Sequence, residues 1–223
     1  MSARPSSIAS IYADKPNHYF GGARPDIVAR LQTGPDGAIL ELGCGAGGTG
    51  KAAIAAGKAG RYVGIELDRD AAALASEVLS DVLVGDVQEL DLAPLQDSFD
   101  ALIISEVLEH LTDPWTTLSL LVKCLKPGGR VFASSPNIAH WMVLKELFFG
   151  RFAYADVGVM DRTHLRWFTP ESYREMFEGA GVEVERVRPL VALRWKARVI
   201  NALTGSRFQH LFIVQTMIEG RRR

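Results

Sequence analysis

From Ile39 to Gly50 the chain reads ILELGCGAGGTG, a short apolar run followed by a turn with five glycines. Few folds accept that order. The apolar run predicts a buried strand, and a helix is predicted from near Thr49, with its unbonded N–H groups aimed into the turn. Gly43, Gly45 and Gly48 let the backbone turn sharply and approach a ligand where a Cβ would collide. Such a turn cradles an anionic or nucleotide-type ligand. The spacing also satisfies G-x-G-x-x-G, which leaves a dinucleotide open as an alternative.

Acidic residues after each strand narrow the choice towards S-adenosylmethionine. Glu41 lies two residues before the first glycine, where a carboxylate can meet the ammonium of an amino-acid moiety, a group that a dinucleotide lacks. RYVGIE ends in Glu66, placed for two ribose hydroxyls of either cofactor. DVLVGD ends in Asp86, placed for the exocyclic amine of adenine. The next landmarks are SEVLEHLTDP from Ser105 and LKPGG at Leu125–Gly129.

In this order ELGCGAGG, GIELD, GDVQEL, SEVLEHLTDP and LKPGG resemble the class I S-adenosylmethionine-dependent methyltransferases. The resemblance covers the chain from about Ala38 to its end. It implies a Rossmann-like α/β fold: a seven-stranded, mostly parallel sheet with an antiparallel C-terminal strand and helices on both faces. It also implies in-line methyl transfer from sulfur. The cofactor set it suggests is Tyr19, Arg24, Glu41, Gly43, Cys44, Gly45, Glu66, Leu67, Asp86, Val87 and Ser105. Tyr19 would face the sulfonium, and Arg24 would fork onto the cofactor carboxylate; Tyr19 and Phe20 could instead only staple the leader to the domain. SSPNIAHW and GVMDRTHLRWFTPES look like bacterial methyltransferases of surface-polysaccharide and glycan biosynthesis, which implies a small-molecule or sugar-containing acceptor.

The remaining pattern alternates strand and helix, as a sheet covered on both faces requires. Strands are predicted near 38–42, 62–66, 82–85, 101–105 and 130–134, with helices near 49–56, 69–79 and 113–125. Pro170-Glu171 opens another helix, and VEVERVR and HLFIVQTMI read as a closing antiparallel pair. One domain is expected over residues 1–223, with a leader or cap at 1–37 and substrate-side insertions at 138–168 and 190–207. The first insertion contains the apolar IAHWMVLKELFFG, a candidate substrate wall that reads equally as a packing helix or homodimer face. The second interleaves Arg194, Lys196 and Arg198 with apolar residues, in the manner of a solvated face or of a surface that meets anionic lipid.

Glu106-Val107-Leu108-Glu109-His110 holds the densest chemistry. As a helix it would place Glu106, Glu109 and His110 at i, i+3 and i+4 on one face. The segment resembles the E-x-x-E-H metal site of ubiquinone-biosynthesis O-methyltransferases and of small-RNA 2′-O-methyltransferases, where a further histidine could correspond to His164. That resemblance implies a divalent cation such as magnesium, held by Glu106, Glu109, His110 and His164 and lowering the pKa of a substrate hydroxyl. Without metal, His164, His110 and His140 are the candidate bases, since imidazole titrates near about 6.5. Many methyltransferases carry the same acids and histidine in a purely structural role. Arg162 and Arg166 can bind an anionic acceptor or pair with Asp156, Asp161 or Glu171.

Composition limits the partners. A formal charge of −1 gives no bias towards nucleic acid, which disfavours RNA 2′-O-methylation as an alternative, and N-methylation stays open. A non-catalytic cofactor-binding subunit and a nicotinamide oxidoreductase are the rivals from other classes. Cys44 and Cys124 form neither a disulfide framework nor a metal pair by spacing. No apolar run reaches the length of about 20 residues that spans a bilayer, and the first residues carry no apolar signal core. A cytoplasmic protein without a transmembrane segment is expected.

Overall fold

The structure is a computed structural model that describes residues 22–193 and 195–223. Its seven strands form one sheet in the order β3-β2-β1-β4-β5-β7-β6. They are β1 (Ala38–Leu42), β2 (Arg61–Glu66), β3 (Asp81–Val84), β4 (Phe99–Ser105), β5 (Leu125–Pro136), β6 (Val182–Pro189) and β7 (Gln215–Arg222). β1 pairs in parallel with β2 and β4, and β2 with β3. β6 and β7 run antiparallel. This is the Rossmann-like order that the sequence resemblance implies.

The chain divides into two compact units, one running to Ile104 and including Leu120–Arg130, the other formed by Ser105–Ser119 with Val131–Arg223. In the first unit every residue of β1 and all but the first of β2 are buried, as strands covered on both faces must be. Helix α1 (Pro25–Val28) precedes them, and α2 (Gly48–Ala55) and α3 (Arg69–Ser76) alternate with the strands. Asp68 caps α3 by accepting from Ala71 N at 2.8 Å. α4 (Pro114–Cys124) begins where Asp113 Oδ1 accepts from Thr116 N at 3.1 Å.

The second unit is centred on Phe168, Tyr173 and Phe177, whose rings stack in sequence at 5.3 and 5.0 Å. Helix α6 (Pro170–Gly179) carries the last two, started by a reciprocal Thr169–Ser172 capping box. α5 (Trp141–Phe148) and α7 (Trp195–Leu203) complete the helices.

Several predicted boundaries move. β5 begins at Leu125 instead of Arg130, because Asp97 and Ser98 donate to the carbonyls of Lys123 and Cys124 and draw that segment towards the sheet. α3 stops at Ser76. The HLF of the predicted last strand lies in a 3₁₀ turn (Gln209–Phe212), and pairing with β6 starts only at Thr216.

Candidate active site

The glycine turn follows β1 in the first unit. N–H groups of Gly43 and Cys44 both donate to Ile65 O, at 2.8 and 3.3 Å, pinning the turn to the end of β2. Gly47, not Gly48, supplies the third left-handed residue. It caps α2 at φ 79°, and a Cβ there would meet Val78 Cγ2 at 2.8 Å, whereas Gly48 is already helical. Cys44 is a packing residue: a Cβ on Gly64 would meet its sulfur at 2.4 Å, and burial pushes its thiol pKa up. Its thiolate is suppressed accordingly.

Two carboxylates anchor this turn. Glu41 is sealed beneath it, accepting from Tyr62 Oη at 2.8 Å and from the Thr49 hydroxyl. Burial raises its pKa to about 7 against those bonds and the charge of Arg24. Glu66 Oε2 accepts from Gly45 N at 2.8 Å, and Oε1 from Leu67 N and Asp68 N, each at 2.9 Å. Burial raises its pKa too, opposed by these three bonds. A carboxylate offers about four acceptor sites, so the ends of β1 and β2 are tied together through Glu66. Its two oxygens are therefore not left solely to ribose.

Arg24 does not present an open fork: its guanidinium closes on Asp26 through two contacts of 3.0 Å, while its backbone N–H donates to Thr49 Oγ1 at 3.2 Å. Asp86 follows β3, its Oδ1 accepting from Gln88 N at 2.9 Å in an Asx-type turn, and Val87 is buried beside it. Tyr19 lies outside the described residues. Ser105 ends β4 and belongs to the second unit.

In that unit Glu106–His110 is not the α-helix that would set the two acids and the histidine on one face. Glu106 sits at φ 53°, a left-handed conformation disfavoured for glutamate, and Leu108–His110 form a single 3₁₀ turn. Tertiary bonds impose this: Glu106 N donates to Ser134 O at 3.0 Å, and Gln215 Nε2 donates to Glu106 Oε2 at 3.0 Å. The three residues therefore do not share a helical face.

A different grouping forms. Glu109, His110 and His164 are buried and offer ligand atoms within 4.8 Å of one another, a set that does not include Glu106. The imidazoles meet edge to face at 4.7 Å. His110 Nδ1 donates to Thr163 O at 3.2 Å and His164 Nδ1 to Val159 O at 3.1 Å. A carbonyl only accepts, so both Nδ1 atoms carry the proton. Carbonyls that bond the other ring nitrogen fix metal-ligating histidines in this way.

Glu109 Oε2 accepts from Ser135 Oγ at 3.3 Å, whereas Oε1 is buried with no hydrogen-bond partner among the described residues. Burial first, then the charges of Glu106 and Asp161, raise the Glu109 pKa well above the usual carboxylate range. One carboxylate oxygen and two imidazole nitrogens are donor types that suit a divalent cation. The Glu109 carbonyl accepts from Leu165 N at 2.8 Å and Arg166 N at 2.9 Å, clasping the DRTHLR segment to the 3₁₀ turn.

Sequence reasoning missed the residues that orient the cluster. Asp161 Oδ1 accepts from Thr163 N at 2.9 Å and Thr163 Oγ1 at 2.8 Å, shaping the turn that presents Thr163 O to His110. The D-x-T spacing was the available signal. His140 stands apart as the N-cap residue of α5, its ring 6.1 Å from that of Trp141 and its pKa lowered by burial. Arg162 pairs with Asp156 at 3.1 Å, and Arg166 donates to Thr112 O and lies over the Trp115 ring.

Comparison with known proteins adds three observations. A family model described as a methyltransferase domain matches residues 17–187. The chain is 35% identical over 129 residues to the ubiquinone biosynthesis O-methyltransferase of Xanthomonas campestris pv. campestris (strain B100), over 55% of this chain and 53% of that protein. It thus spans about half the length of that relative. A solved structure of an S-adenosylmethionine-dependent methyltransferase from Archaeoglobus fulgidus is similar in fold, with TM-score 0.64 and 20% identity over 92% of this chain and 97% of that one. So is a chain in the complex of the Haloferax volcanii Trm112 methyltransferase activator, with TM-score 0.63 and 20% identity over 99% of both. At these identities the two structures bear on the fold alone.

Proposed function

Because the chain belongs to the methyltransferase-domain family, we propose that it transfers the methyl group of S-adenosylmethionine to a hydroxyl oxygen. We propose further that Glu109, His110 and His164 hold a divalent cation for that purpose. The observation that carries the cation reading is the buried, partnerless Oε1 of Glu109 in a cluster with two imidazoles whose Nδ1–H groups are already committed. Leaving such an oxygen unpaired costs roughly 1–3 kcal/mol. A bound cation would offset that cost.

In this reading the glycine turn and Glu66 position the cofactor, and Glu41 answers its ammonium. S-adenosylmethionine supplies a methyl already activated by the sulfonium, so the chain has only to align the acceptor and handle one proton. As the C–O bond forms the C–S bond breaks, the sulfur keeps the bonding pair, and the hydroxyl proton leaves. A cation on the cluster would supply Lewis acidity that lowers the pKa of the hydroxyl. Without one, Nε2 of His110 or His164 is the base that takes the hydroxyl proton, since each Nδ1 carries its own hydrogen.

The acceptor class proposed is a small molecule or sugar-containing molecule. The named O-methyltransferase relative supports oxygen as acceptor atom, and the sugar rests on the SSPNIAHW and GVMDRTHLRWFTPES resemblance. Segments 138–168 and 190–207 are proposed as substrate-side insertions of one domain. No helix among the described residues is long and apolar enough to cross a membrane.

Titration calorimetry with S-adenosylhomocysteine, before and after chelation and with added magnesium or zinc, tests both parts. Binding of the nucleoside with extra heat from the metal is expected, and Glu109→Gln should remove only the metal heat. Preference for a nicotinamide dinucleotide would overturn the cofactor. Indifference to metal and chelator would leave the histidine base.

A further inference from the structure

Helix α7 in the second unit turns its apolar side the wrong way for a solvated helix. Trp195, Val199 and Leu203 recur at i, i+4 and i+8, which makes one stripe. Trp195 is 69% exposed and Leu203 81%, with Val199 and Ile200 also open to solvent. The side facing the protein is small and polar: Ala197 and Asn201, again four apart, are the buried pair. A helix stabilised by its own core would bury the stripe instead. Val191 and Phe208, on either side of the helix, are exposed as well.

Charge in the same segment is one-sided. Residues 190–214 contain Arg194, Lys196, Arg198 and Arg207 and neither aspartate nor glutamate, giving +4 in a chain of net −1 and leaving −5 for the rest. Arg198 and Arg207 are exposed, and neither forms an ion pair among the described residues. An apolar stripe with tryptophan and flanking cations complements a surface that is anionic outside and hydrocarbon beneath.

We infer that α7 and its flanks form an interfacial contact for an anionic lipid bilayer, with Trp195, Val199 and Leu203 entering the headgroup boundary while Arg198 and Arg207 meet lipid phosphates. A soluble anionic protein would match the cations but would leave the outward stripe uncovered. The contact is peripheral.

The test is co-sedimentation of the full chain with vesicles of equal parts phosphatidylglycerol and phosphatidylcholine, and with phosphatidylcholine alone. Wild type is expected to pellet with the anionic vesicles only, and to be released by raised salt. Arg198→Ala with Arg207→Ala should lower the partition coefficient about 25-fold, about fivefold for each cation lost. Leu203→Ser should weaken it with no change in melting temperature, since the residue is exposed. Failure of wild type to pellet, pelleting insensitive to salt, or equal partition of both variants and wild type would overturn the inference. So would a dimer in sedimentation velocity that Leu203→Ser dissolves, which would assign the stripe to a second copy.

Discussion

Glu41 and Glu109 are both carboxylates sealed from water, each in a different compact unit, and the protein treats them in opposite ways. Glu41 is answered on every side, by the Tyr62 and Thr49 hydroxyls and by the charge of Arg24, and its pKa rises only to about 7. Glu109 has a weak donor in Ser135 and one in its own backbone N–H, two like charges nearby, and one oxygen with no hydrogen-bond partner among the described residues. A buried polar group left incomplete is a place for something the chain does not contain. The helix-free backbone around Glu109 belongs with this: Glu106 is held left-handed at a cost of order 1–3 kcal/mol, as constrained residues near functional sites often are.

The sharpest way to break this contrast is to remove an imidazole from the incomplete cluster. His164→Ala should lower kcat/KM by about 10²–10⁴-fold while cofactor affinity, measured by calorimetry, stays within about twofold. An equal loss of cofactor binding would mean that the cluster supports the cradle instead of the chemistry.

Next in size is the pH response of the complete site. The Glu41 pKa rises from the ordinary 4.5 to about 7 on folding, so the folded state holds that proton more tightly than the unfolded one. Its contribution is fully present below about pH 4.5 and is lost as pH rises through about 7. The difference is about 3 kcal/mol. Chemical denaturation across that window should show the decline in wild type and a flatter profile in Glu41→Gln. Parallel profiles would place the titration elsewhere. A cofactor ammonium would favour the ionised form, so nucleoside binding should shrink the decline.

The smallest effect concerns packing under the turn. Gly64→Ala sets a Cβ 2.4 Å from Cys44 Sγ and should destabilise by about 1–3 kcal/mol. Adding Cys44→Ala should recover part of that loss. No recovery would show that the clash lies with Leu79, whose Cδ1 is 3.1 Å from the same point.

Against these particulars the legibility of the sequence divides along a physical line. ILELGCGAGGTG, RYVGIE and the Pro170-Glu171 helix start could be read because each is decided within a few residues, by a buried strand, a backbone that needs glycine, or a proline in the first turn. Even there the third turning glycine was misplaced by one: Gly47 is left-handed at φ 79°, whereas Gly48 already begins α2. The spacing of EVLEH suits a helix that does not form. The bonds that prevent it come from Ser134 and Gln215, on other strands.

The sequence alone therefore determined the strand-and-helix order, the glycine cradle and the chemical identity of the residues able to hold a cofactor or a cation. Tertiary structure decided which of them meet. It joined His110 to His164 through the Thr163 carbonyl, drew Glu106 away to Gln215, closed Arg24 on Asp26, and turned the apolar stripe of α7 outward. Local preference acts over one turn of chain, whereas the company of a buried charge is fixed by whatever the fold packs against it.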